Sequence, residues 1–176
     1  MFTTPAINSV LGILTVLGQL IILALFGSLV FKQTSNKFFR FFGENAFFIS
    51  FLAVLGATIG SLFYSSIAGY EPCNLCWIQR IFMYPQVIIF GIALWKKDYT
   101  ISSLNALILS ILGAIIALYN HLIQMGITTG LCGASLVSCA KRYVMEFGYI
   151  TMPMMSLTIF LLIIMLMVVN KRLKQS

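Results

Sequence analysis

Charge is what this chain has little of. Only 9% of its 176 residues are charged, and four of those are acidic. A soluble domain could not cover itself with so few. With 60% hydrophobic residues and a mean hydropathy of +1.01, the class is an integral membrane protein. The alternating polar pattern of a transmembrane β-barrel is also absent, which leaves helices as the spanning elements. The flank from Met1 to Asn8 carries no side-chain cation, the apolar run after it is too long for a signal h-region, and the positive charges follow that run. These features argue against a cleaved secretory signal and for a retained first helix with its N-terminus outside.

What is present is apolar length. Five runs, residues 9–31, 46–68, 77–95, 101–124 and 147–169, can each cross a hydrocarbon core of about 30 Å at roughly 20 residues per helix. Lys32, Lys37 and Arg40 fall between the first two runs, Lys96 and Lys97 between the third and fourth, and Lys171, Arg172 and Lys174 after the fifth. The positive-inside rule puts those segments and the C-terminus in the cytoplasm, against the dissent of Lys141 and Arg142. The N-terminus, the stretch before Cys73 and the loop from about 125 to 146 then lie outside. The net charge of +7 is therefore a matter of topology and anionic lipid, not of nucleic acid. Lys37-Phe-Phe-Arg40-Phe-Phe reads as an interfacial stretch, with cations in water and rings at headgroup depth.

The four cysteines form two pairs, Cys73-Asn-Leu-Cys76 and Cys132 with Cys139, all on the predicted outer side, where disulfides persist. Pro72 precedes the first pair at the mouth of the third run, so both thiols are expected in the first helical turn. The macrodipole and free N–H groups there favour a thiolate, the form that attacks disulfides and donates electrons. Arg80 lies four residues beyond Cys76, one turn deeper on the same face. An arginine at that depth either snorkels or faces the bundle interior with a partner; its alignment with Cys76 favours stabilising negative charge there and on a bound acceptor. Gln79 is a second candidate for that pocket, and Trp77 and Tyr84 read as belt or packing aromatics. The only histidine, His121, ends the fourth run at about the depth of the CxxC. It is either an acceptor-binding and proton-supplying group or an ordinary interfacial histidine. Glu146 is expected to cap the fifth helix, and Pro153 to set or kink its first turns.

The run EPCNLCWIQRIFMYP resembles the quinone-linked disulfide-forming membrane proteins of the DsbB family, nearest the BdbC-type branch with its CxLCWxQRxxMYP pattern. VSCAKRYVMEFGYITMPMMSLTIF is similar to the same branch, so the likeness spans residues from about 46 to 169. The resemblance implies an antiparallel four-helix transmembrane bundle over residues 45–176. Residues 1–44 are then one additional N-terminal transmembrane helix with a cytoplasmic linker and no inherited role. It implies a multi-pass protein of the bacterial cytoplasmic membrane that reoxidises a soluble extracytoplasmic thioredoxin-fold thiol oxidase, DsbA- or BdbD-like, and reduces a quinone, ubiquinone or menaquinone. Cys132 would form the mixed disulfide with the partner and Cys139 would exchange with Cys73. Cys76 would meet the quinone ring beside Arg80, with Gln79 and His121 as further quinone contacts and no metal.

Other readings compete. A vitamin-K-epoxide-reductase-like quinone reductase also combines a CxxC with a loop pair, but places its CxxC near the end of the bundle. A structural zinc site built from all four cysteines accepts such spacings, yet its thiols would sit in an oxidising space and Arg80 would go unexplained. A binding or assembly protein with inert disulfides would show no quinone dependence.

Overall fold

The computed structural model describes residues 4–31, 37–97, 99–128 and 139–175. Among the described residues six helices follow one another: α1 Thr4–Val30, α2 Lys37–Glu44, α3 Ala46–Ser66, α4 Asn74–Lys96, α5 Tyr99–Gln124 and α6 Met152–Gln175. Five are long and apolar enough to cross a membrane. At about 1.5 Å per residue, even the 21-residue α3 reaches roughly the thickness of a hydrocarbon core. The protein is thus an all-α, multi-pass membrane protein.

Helices α3, α4, α5 and α6 form an antiparallel ring, α3 against α4, α4 against α5, α5 against α6, and α6 back against α3. α1 packs on the outside of α6. Near the middle of the ring, a Cβ on Gly113 of α5 would run into the Phe160 ring. The core at one end of the ring is aromatic, with Phe39, Phe47 and Phe90 buried together. The same end carries Lys96, Arg172 and Lys174, and Lys174 Nζ lies 5.2 Å from the centre of the Tyr99 ring. The interfacial stretch forms its own helix, α2, which buries Phe39 and Gly43 and ties to α6 through Asn170 Nδ2 donating to the Gly43 carbonyl at 2.7 Å.

Two helix starts differ from the bounds of the apolar runs. The last helix begins at Met152, not at 147. Glu146 therefore does not cap it: Phe147 and Gly148 take positive φ of 51° and 80°, and the chain closes a turn in which the Ile150 N–H returns to the Glu146 carbonyl at 2.9 Å. A left-handed pair cannot belong to an α-helix, and hydropathy does not report φ. Pro153 falls in the first turn of α6, where its missing N–H breaks no helical bond. Finally, α4 begins at Asn74, three residues earlier than its apolar run, because polar residues sit in its first turn.

Candidate functional site

Cys73 is the N-cap of α4, with extended backbone at φ −71° and ψ 170°. It is followed by a full turn that brings the Cys76 Sγ to 3.2 Å from its own. The CxxC spacing does this by helical geometry, since residues three apart in a first turn share a face. Both cysteines are free thiols. The side-chain hydrogen bond with Cys76 lowers the Cys73 thiol to about 6, opposed by burial and helped by backbone N–H groups of the helix start. A pair with one sulfur held as thiolate is ready for exchange.

Cys139 is disulfide-bonded and 1% exposed. It is buried in a small cluster with Cys73 and Ile123, against which Leu75, Cys76 and Tyr119 pack. The two cysteine-bearing segments therefore meet at the same end of the bundle. An aromatic stack helps hold them: Tyr70, before the CxxC, lies 4.7 Å from Tyr143, after Cys139, and Tyr64 lies 5.7 Å from Tyr70. Gln124 Nε2 adds a hydrogen bond to the Lys141 carbonyl at 3.3 Å. Cys132, and the loop around it, lie outside the described residues.

Beneath the thiols is a cavity of about 390 Å³ that runs between α1, α3, α4 and α6. Cys73, Cys76, Gln79 and Arg80 all line it, so four of the residues singled out from sequence converge on one space. Its walls are mainly apolar, with Leu52, Ala57 and Met83 among them. Gln79 is 4% exposed and its Nε2 has no hydrogen-bond partner; the Oε1 of Gln124 in the same wall also has none. An apolar space with an unused buried donor suits a flat, apolar molecule bearing a carbonyl oxygen. The Arg80 guanidinium donates to the Ser61 carbonyl at 3.1 Å and stacks at 5.1 Å over Trp77. Tyr84 donates to Ser61 Oγ at 3.3 Å, a second tie from α4 to the same serine of α3.

The polar group that meets Cys76 is one the sequence did not single out. Asn120 of α5 is fully buried and its Nδ2 lies 3.6 Å from Cys76 Sγ, while its Oδ1 has no partner. A sequence signal existed, since an asparagine one turn from the end of an apolar helix is costly without a use. His121 next to it turns elsewhere, its Nδ1 3.0 Å from Thr151 Oγ1, and it is not part of the cavity lining. Cys139, held in a disulfide, has no thiolate to offer a zinc ion.

The family model "Disulfide bond formation protein DsbB" matches residues 43–170. "Probable disulfide formation protein C 1" of Bacillus anthracis is 46% identical over 122 residues, covering 68% of this chain and 87% of that protein. "SPbeta prophage-derived disulfide bond formation protein B" of Bacillus subtilis is 41% identical over 147 residues, covering 81% of this chain and 96% of that one. "Disulfide bond formation protein C" of the same organism is 39% identical over 128 residues, 70% and 91% of the two chains. No solved structure matches significantly.

Proposed function

The chain belongs to the DsbB family of disulfide bond formation proteins, and from that membership we propose that it is a membrane thiol:quinone oxidoreductase that keeps a soluble thioredoxin-fold oxidase oxidised. The observation that carries the proposal is the burial of Cys139 against a reduced Cys73–Cys76 pair that lines an apolar cavity. That convergence supports a relay of two disulfide exchanges.

In the relay, a partner thiolate attacks Cys132 of a Cys132–Cys139 disulfide and releases Cys139 as thiolate. The partner's second thiolate then releases Cys132 and closes the partner's disulfide. Cys139 attacks Cys73 of a Cys73–Cys76 disulfide, and Cys76 leaves as thiolate beside the Asn120 amide. Cys132 returns to Cys139 and frees Cys73, leaving a disulfide at Cys139 and two thiols at 73 and 76, the state described above. The Cys73–Cys76 pair finally gives up two electrons and two protons and closes its S–S bond. A quinone, ubiquinone or menaquinone, supplies a two-electron, two-proton acceptor when bound. Gln79 Nε2 and Arg80 are the groups that would hold its oxygen, and the apolar walls would exclude water from the thiols. His121 would serve as a proton source at one remove from the cavity, through the end of α5.

The proposed topology puts the cysteine end in the extracytoplasmic space of the bacterial cell membrane and the end with Lys96, Arg172 and Lys174 in the cytoplasm. Residues 45–176 would be the catalytic bundle. Quinone reduction by a reduced thioredoxin-fold oxidase, measured with each cysteine replaced in turn, tests the proposal. Turnover should require all four cysteines, and turnover that survives replacement of Cys73 or Cys76 would refute it.

A further inference from the structure

Helix α1 lies outside the family match, which begins at residue 43. Leu11, Leu14, Thr15 and Gly18 of α1 nevertheless line the same cavity as Cys76 and Arg80. Their spacing of three, four and seven puts them on one helical face. The opposite face, with Ile13, Leu17 and Leu20, is at least half exposed, as a lipid-facing surface should be. α1 is also fixed in place rather than loosely apposed. Tyr64 donates to Asn8 Oδ1 at 2.8 Å, Tyr149 donates to Gln19 Oε1 at 2.8 Å, and Gln19 Nε2 donates to Thr158 Oγ1 at 3.3 Å. These bonds pin α1 to α3, to the turn before α6 and to α6. Gly12 and Gly18 allow the close approach: a Cβ at Gly12 would stand 3.2 Å from the Glu146 Cβ, and one at Gly18 3.2 Å from the Thr158 Cγ2.

The wall α1 supplies is not duplicated by the ring. Among the described residues, α1 and α3 face each other across the cavity with little direct backbone contact, whereas α1 and α6 are close neighbours. Without α1 the space beneath Cys76 is a groove on the flank of the bundle, open to lipid. With it, the groove becomes a walled pocket.

We infer that α1 is a structural part of the acceptor site, its Leu11–Thr15–Gly18 face closing the pocket and setting which quinone tail fits and how tightly the ring is held against the thiols. The inference rests on the quinone reading above and extends it to a helix that reading leaves without a role. Its consequence is that quinone affinity depends on side chains about sixty residues away from the CxxC in sequence, while thiol exchange does not.

The test uses the full chain in lipid nanodiscs with Trp95→Phe, so that Trp77, stacked on Arg80 beside the pocket, dominates the emission. Binding of a short-chain menaquinone and a short-chain ubiquinone is read by quenching of that emission, and disulfide exchange is read separately with a small dithiol and no quinone. Thr15→Phe, which projects bulk from a buried lining position, and Leu11→Ala, which opens the wall, should each weaken quinone binding about tenfold or more. Both should leave dithiol exchange unchanged, and Leu20→Ala on the lipid face should change neither. If Thr15→Phe fails to fold, Leu11→Ala decides. Folded variants that bind quinone like the parent would overturn the role of α1 alone. A parent chain that neither quenches with quinone nor reduces it would overturn the acceptor reading and α1's part in it together.

Discussion

The two ends of the bundle are built to different standards. At the basic end, Phe47 sets its ring against those of Phe90 and Tyr99, and Phe39 of α2 is fully buried in the same core. At the cysteine end there is a cavity of about 390 Å³, and Gln79, Asn120 and Gln124 each keep a buried polar atom without a partner. An unfilled cavity and orphaned polar atoms both cost stability, of the order of 1–3 kcal/mol for each orphan. The difference teaches that ring-on-ring contacts fill the core at one end, while at the other an apolar space brings the two thiols, Gln79 and Arg80 to one wall.

The largest effect that could break this contrast is at the sulfurs. Cys139→Ser should reduce oxidation of a thioredoxin-fold partner to background while leaving the unfolding midpoint in detergent nearly unchanged. A large fall in that midpoint would make the cysteine end structural after all.

Next in size is the Cys73 thiol, held at about 6 first by its hydrogen bond with Cys76. Its thiolate persists above that pH and is lost as the pH falls through it. The accompanying stabilisation of the folded, reduced chain is full above the unfolded-state value, near about 8.5, and vanishes on acidification through about 6. Alkylation of the reduced pair by iodoacetamide should follow that midpoint. Cys76→Ala should move the midpoint up toward about 8.5, slowing the reaction at pH 7 by as much as roughly 30-fold.

Smaller again is Asn120→Leu, which removes the amide facing Cys76. One neutral hydrogen bond is worth about 1 kcal/mol, so release of Cys76 during exchange should slow roughly fivefold. Stopped-flow mixing of the oxidised chain with a dithiol would measure it, and an unchanged rate would return Asn120 to a packing role. The smallest effect on chemistry, none, is expected in the middle of the bundle. Gly113→Leu drives side-chain bulk into Phe160 and should destabilise the fold by about 1–3 kcal/mol, yet the exchange rate per folded molecule should stay the same.

Much of this was legible in the residues. Long apolar runs fixed the spanning helices because lipid leaves the backbone no alternative. The CxxC and Arg80 announced a shared pocket because helical spacing alone aligns them. What was not legible depends on tertiary neighbours or on φ. Glu146 looked like a helix cap, and only the left-handed Phe147 and Gly148 move the helix start to Met152. Arg80 was matched to Cys76, whereas its hydrogen bond goes to the Ser61 carbonyl, an α3 atom that no spacing within α4 could reveal. Asn120 is 44 residues from Cys76, and the hydrogen bond between them exists only because α4 and α5 pack together. α1 carries no cysteine, histidine or charged residue, and its contribution emerges only from the pocket it walls.

The central claim is that Cys139 exchanges directly with Cys73. A chain with Cys132→Ser and Cys76→Ala keeps only those two thiols. In nanodiscs containing one molecule each, mild oxidation should join them in a single intramolecular disulfide, identified by mass spectrometry of the peptides around residues 73 and 139. Near-complete cross-linking is the result expected from their shared burial in one cluster. Two thiols that remain free, or that pair only between molecules when discs hold two, would contradict the relay.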